Sequence, residues 1–126
     1  MSKNDEEDDI RWLKDVEDHN YPAAESYLQL IYDPAEVKKY LSALRSAQIV
    51  RFKAKDIFRA SQLSLLGISN SRVEKDRKKI KNGVALSPLL LVRDGKNGKV
   101  VIADGYHRLC AIYGFDEDAW IPCKIV

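Results

Sequence analysis

Apolar positions along this chain recur with two different periods, and the switches between them mark out its elements. Ala24, Tyr27, Leu28 and Ile31 stand three or four residues apart behind Pro22, which predicts a short amphipathic helix. In "DPAEVKKYLSAL" (33–44), Asp33 is placed to cap, Pro34 to take the first helical position and Glu36 to complete a capping-box-like pair, while Val37, Tyr40, Leu41 and Leu44 form one apolar stripe. From Ile49 the period shortens: "IVRFKA" alternates apolar and basic residues like a strand with one wet face, and "KDIFRASQL" reads as a short turn or helical piece. Ser71 and Glu74 form a second capping-box signature that opens "RVEKDRKKIKNG", a helix closed by Asn82 and Gly83. After Pro88, "LLLVR" and "KVVIA" predict strands joined across "DGKNG", whose glycines and asparagine favour a hairpin. Leu109, Ile112 and Tyr113 predict a helix that stops at Gly114, and "IPCKIV" predicts a final strand.

Composition narrows the class. With 126 residues, 45% hydrophobic and 32% charged, the chain is expected to be one soluble domain long enough to bury a core, with an appended segment at 1–48. No apolar run approaches the roughly 20 residues of a membrane span. The opening "MSKNDEEDD" is acidic, the wrong sign for a signal peptide, so a cytoplasmic protein without a membrane partner is expected, with residues up to about Asp9 disordered. Cys110 and Cys123 lack metal-finger spacing and are expected to be buried thiols. His19 is expected to be exposed, and Trp12 and Trp120 to be packing or interface anchors.

Charge is unevenly distributed. Residues 1–18 hold eight acidic side chains against three basic, whereas residues 51–81 hold ten basic against three acidic. Within the basic stretch, Arg72, Lys75 and Lys79 fall at i, i+3 and i+7 and would project from one helix face. That face suits an anion or simply water; Lys53 and Lys55 either line the same anion site or are solvated.

The candidate chemistry lies in "VVIADGYHRLCAIYG" (100–114), where a β-branched run gives way to a helix. A helix amino terminus presents unpaired amides and the positive end of the dipole, which suits phosphate where a glycine permits close approach. Gly105 sits at that position, His107 and Arg108 can each donate, and Arg72, Lys75 and Lys79 would close the other side if their helix packs nearby. The competing account makes Asp104 the N-cap and leaves His107 and Arg108 as surface polar residues.

From Ile49 to Val126 the order of elements resembles the ParB/sulfiredoxin superfamily: "VRFKAKDIFRASQL", "RVEKDRKKIKNG", "SPLLLVRD", "IADGYHRLCAIYG" and "IPCKIV" stand where that superfamily has a strand and turn, a basic or polar helix, a strand, a glycine-plus-arginine helix start and a closing strand. The resemblance implies an α/β (α+β) fold, with an acidic tail and helical extension over 1–48 and the ParB/sulfiredoxin-like domain over 49–126. It implies phosphate contacts at Gly105, His107 and Arg108, with Arg72, Lys75 and Lys79 on the nucleotide side and Tyr106 in the binding loop. Tyr106 stands in place of the sulfiredoxin cysteine, and a phenol of pKa about 10 does no thiolate chemistry at neutral pH. It also replaces the ParB glutamate. The remaining pattern is similar to "DGHxR" variants that include a free-serine kinase, in which Asp104 would act as a base or through Mg²⁺. The expected ligand is therefore a nucleoside triphosphate, ATP or CTP, with Mg²⁺, and with phosphoryl transfer or hydrolysis open. The alternatives are nucleic-acid association through Arg72, Lys75, Arg77, Lys78, Lys79 and Lys81, and a protein-interaction module. The helical extension would either pack on the domain or mediate a homodimer.

Overall fold

Two helices open the structure, a computed structural model that describes residues 10–126. The acidic tail, with the disorder expected of it, lies outside the described residues. The first helix, α1 (Asn20–Leu28), buries Tyr21, Ala24 and Leu28. It ends there, so Ile31 belongs to the following turn and Tyr27 faces solvent; the sequence expectation of one apolar stripe through both is corrected, and they are 44% and 43% exposed. The second, α2 (Pro34–Ser46), starts as its sequence predicts: Asp33 accepts from the Glu36 amide at 2.9 Å, and Val37 and Leu44 are buried.

Beyond α2 come four strands, β1 (Val50–Lys53), β2 (Leu89–Asp94), β3 (Lys99–Asp104) and β4 (Trp120–Ile125), forming one mixed sheet in the order β1-β4-β2-β3. Both edge pairs are antiparallel and the central β2–β4 pair is parallel. Three further helices connect them: α3 (Ala54–Ser61), α4 (Ser71–Lys81) and α5 (Tyr106–Phe115). This is the α/β class expected from the sequence. No helix among the described residues is long and apolar enough to cross a membrane.

The period of two in β2 explains the layering. Successive side chains point to opposite faces of a strand, so a run of four apolar residues can serve two cores. Leu89 and Leu91 pack with Ile57, Val73, Leu109 and Ile112 from α3, α4 and α5. Leu90 and Val92 pack on the other side with Ala24, Leu28, Val37 and Leu44 from α1 and α2. All four β2 side chains are at most 1% exposed. The sheet is therefore sandwiched, and of the two roles open to the helical extension the structure shows packing.

Lys124 fastens that layer. It lies on β4 facing α1 and α2, is 4% exposed, and donates to the Tyr21 hydroxyl at 3.0 Å and the Arg45 carbonyl at 3.1 Å, with the Asp15 carboxylate at 3.5 Å. A buried ammonium is tolerable only with such partners.

Three local expectations are corrected. The N-cap of α4 is Asn70, whose side chain accepts from the amides of Arg72 and Val73 at 3.0 and 3.2 Å; Ser71 is the first helical residue. Gly114 lies inside α5, which continues to Phe115. The alternation in "IVRFKA" falls on a sheet edge rather than on a strand with one buried face, since Val50 and Phe52 are 40% and 36% exposed. Cys110 and Cys123 are free and buried, as expected, and burial pushes the Cys123 thiol up to about 12.

Candidate functional site

At the end of β3 the ladder with β2 slips: Leu91 pairs with Ile102, but Leu90 pairs with Asp104, so β3 holds one extra residue there. A bulge bends the strand and re-aims the chain beyond it. Here the re-aimed chain is Gly105, at φ +112°, and then α5 directly. Only glycine fits: an added Cβ would stand 2.7 Å from Leu89 Cγ.

Gly105 is itself the N-cap of α5, and no side chain caps this end. This overturns the account in which Asp104 is the cap. The Asp104 carboxylate instead meets Arg108 one turn later, Oδ2 to Nη2 at 3.2 Å, with both side chains less than 20% exposed. The same Nη2 reaches the Pro88 carbonyl at 3.4 Å, while the Arg108 Nε is buried and makes no hydrogen bond within the described residues. Within the described residues Arg108 is thus held through Nη2 alone. The open amides of α5 carry the positive end of its dipole alongside.

These groups line a cleft of about 310 Å³. Its other wall is α4, whose Arg72, Lys75 and Lys79 face in as their spacing predicts, and its rim is the start of α1, with His19 and Asn20. His19 is largely exposed, as expected, and stands 4.0 Å from Glu17. The start of α1 has no spare amides to offer, because the Asn20 and Tyr21 amides already bond the carbonyls of Glu17 and Asp18. Asn20 is locked by a 2.7 Å bond to Ser87. The amides available to a ligand are therefore those of α5.

Sequence reasoning missed one wall residue. Asp76, four residues after Arg72 and hence on the same face of α4, also lines the cleft. Burial raises its pKa above the usual carboxylate value, opposed by the field of Lys79, Arg108, His107 and Lys75. His107 is shifted the other way: burial, then the Arg72 guanidinium, hold its imidazole below the ordinary value. A spacing search made for cations alone passes over Asp76, although i+4 from Arg72 was its signal.

Of the other expected residues, Tyr106 lines the cleft with its hydroxyl engaged, and Lys53 lies outside it. The Tyr106 hydroxyl donates to the Ser64 carbonyl, and the Leu66 amide points at Cys110 Sγ beneath it at 3.5 Å, so Tyr106 braces the segment before α4 against α5. Burial raises the Tyr106 pKa. Lys53 does not line the cleft: its ammonium lies 5.3 Å from the centre of the Trp120 ring. Strands β4 and β2 intervene between β1 and β3, which at ~4.8 Å per strand is about 14 Å across the sheet.

The donor set fits phosphate, with guanidinium, ammonium and helix amides converging on a small polar space. It does not form a resident metal site, since no three His, Cys, Asp or Glu side chains gather to hold a metal ion among the described residues. Mg²⁺ characteristically takes one or two carboxylates plus substrate phosphates, so here it would enter with a ligand. Compared with known protein families, curated proteins and solved structures, the chain has no match.

Proposed function

We propose that this chain binds the phosphate groups of a small ligand in the cleft between α4 and the start of α5. A nucleoside triphosphate, ATP or CTP, carried as its Mg²⁺ complex, is the ligand that the ParB/sulfiredoxin-like order of elements implies. The observation that supports the reading is convergence: Arg72, Lys75 and Lys79 from one helix and the uncapped amides, His107 and Arg108 of another line one cavity, although the two groups are about thirty residues apart in sequence.

In this reading the α5 amides take the phosphate nearest Gly105, and Arg108 donates from the edge of its guanidinium that Asp104 leaves open. Asp104 is a positioning group: by holding Nη2 it fixes the plane of the fork. Arg72, Lys75 and Lys79 neutralise the outer phosphate charge. Mg²⁺, when bound, supplies further neutralisation of the phosphates. Turnover would require Asp104 to leave Arg108 and take up a proton, so binding is the primary activity and phosphoryl transfer or hydrolysis a secondary one.

Calorimetric titration of ATP, CTP and inorganic pyrophosphate, with and without Mg²⁺, tests this. Binding weakened at least tenfold by Arg108→Ala is expected, with a thermal stabilisation of about 2.7 kcal/mol at a hundredfold excess over Kd. No heat and no thermal shift at millimolar ligand in low salt would overturn it. Nucleic-acid association through α4 would give a different signature, an affinity falling steeply with salt and lost when Lys78 and Lys81, exposed and outside the cleft lining, become alanine.

A further inference from the structure

A carboxylate inside a phosphate cleft is a liability unless it has a task. Asp76 lines the cavity with Arg72, Lys75, Lys79, His107 and Arg108, and is half-buried there. Within the described residues its carboxylate makes no hydrogen bond, and the surrounding cations act on it through the field, none at ion-pair distance. Asp104, by contrast, is satisfied by Arg108. In the free protein water can still reach this half-buried carboxylate. A ligand that fills the cleft displaces that water, and a carboxylate then left without a hydrogen-bonding partner is costly and would repel the bound phosphate. The arrangement makes sense if the ligand itself brings the partner.

We propose that the cleft takes a phosphate ester bearing a hydroxyl group close to its phosphate, and that Asp76 is the acceptor that reads this hydroxyl. The inference rests on the phosphate reading above and sharpens it. Four cationic side chains already line the cavity, so an uncharged hydroxyl donor is favoured over an ammonium. At about 310 Å³ the cleft lies at the small end of the roughly 300–1,000 Å³ range of small-molecule sites, in keeping with a small phosphate ester. The shared chemistry is that of a phosphorylated sugar or polyol, whether free or as the ribose phosphate of a nucleotide. The raised pKa of Asp76, caused by burial, agrees with a carboxyl lacking its partner.

The experiment compares four probes on the full chain and on Asp76→Asn by calorimetric titration at low salt: inorganic pyrophosphate, methyl phosphate, ribose 5-phosphate and adenosine 5′-monophosphate. The parent is expected to prefer ribose 5-phosphate over methyl phosphate by about tenfold or more, the range of a hydrogen bond to a charged group. In Asp76→Asn, which keeps an acceptor oxygen but loses the charge, that preference falls, while pyrophosphate binds equally or more tightly because a like charge has gone. Asp76→Ala, which leaves no acceptor at this position, is the second variant and should bring the preference to within about threefold. An unchanged preference in Asp76→Ala, or none in the parent, overturns the role of Asp76 while leaving the phosphate site standing. No binding of any of the four probes overturns the phosphate site and the inference together. Adenosine 5′-monophosphate much tighter than ribose 5-phosphate identifies the hydroxyl as a nucleotide's, and equal affinity identifies a free phosphate ester; either supports the proposal when Asp76→Ala abolishes the preference.

Discussion

Alanine at Gly105 is the sharpest single perturbation the structure offers. The added Cβ would lie 2.7 Å from Leu89 Cγ, 3.2 Å from Leu89 Cδ1 and 3.0 Å from Arg108 Nη2, on a backbone at φ +112°. Holding an L side chain in so sparse a region costs about 1–3 kcal/mol. Overpacking a filled core costs about 1–3 kcal/mol more. Leu89 cannot retreat cheaply, because it is 0% exposed and its strand is paired on both sides. Together the two effects should remove about 2–6 kcal/mol from a total that is typically about 5–15. Urea unfolding observed by tryptophan fluorescence measures the loss. Gly114→Ala is the control: it sits in the same helix with nothing within 4 Å and no positive φ, and should gain up to about 1 kcal/mol from helix propensity. Phosphate binding should fall in the first variant and stay level in the second, since only the first displaces Arg108. A loss below about 1 kcal/mol at Gly105, or the same sign at both positions, would refute the reasoning.

The same contacts set three other expected outcomes. Because the folded state holds His107 below its ordinary pKa of about 6.5, the unfolded chain takes up that proton first. Its contribution to stability is thus intact above about pH 6.5 and is lost as the pH falls through the folded value; melting scans from pH 7.5 to 5 should show a slope that His107→Gln reduces. Asn70→Ala should cost about 0.5–2 kcal/mol in urea unfolding, and Ser71→Ala within about 0.5, since Asn70 is the residue that caps α4. Leu28→Ala should cost about 2–5 kcal/mol in a single cooperative transition, because Leu28 is 0% exposed in the core that α1 and α2 share with the sheet; two separate transitions would show the extension to be an independent unit.

The features legible in the sequence are mostly local. Asp33, Pro34 and Glu36 announce the start of α2 because a cap depends on one turn of backbone and little else. Asn70 and Ser71 are both good caps, so pattern alone places the start of α4 one residue late. Arg72, Lys75 and Lys79 are legible as a face, because helical spacing fixes direction. Lys53 is misplaced by pattern for the opposite reason: which strand neighbours which is a long-range fact, and β1-β4-β2-β3 sends it to the far edge. Asp104 is legible as important but not in its role, since α5 starts one residue later than a cap at Asp104 requires, leaving its carboxylate outside the cap and paired with Arg108. Lys124 gives no signal; in "IPCKIV" it looks like the wet face of an edge strand, yet β4 is central and α1 covers it.

The central place of β4 also sets a clock on how the protein is made. Lys53 ends β1 and pairs with Trp120, 67 residues further along. At about 5–20 residues per second of synthesis, β1 waits about 3–13 s for its neighbour in the sheet, and the β2–β3 hairpin, complete at Asp104, waits 16 residues more, about 1–3 s, for its parallel partner. Until β4 arrives there are two fragments of sheet and no single one, so long-range pairing falls late in folding. In that interval β1, which carries Val50 and Phe52, has both edges open to pairing.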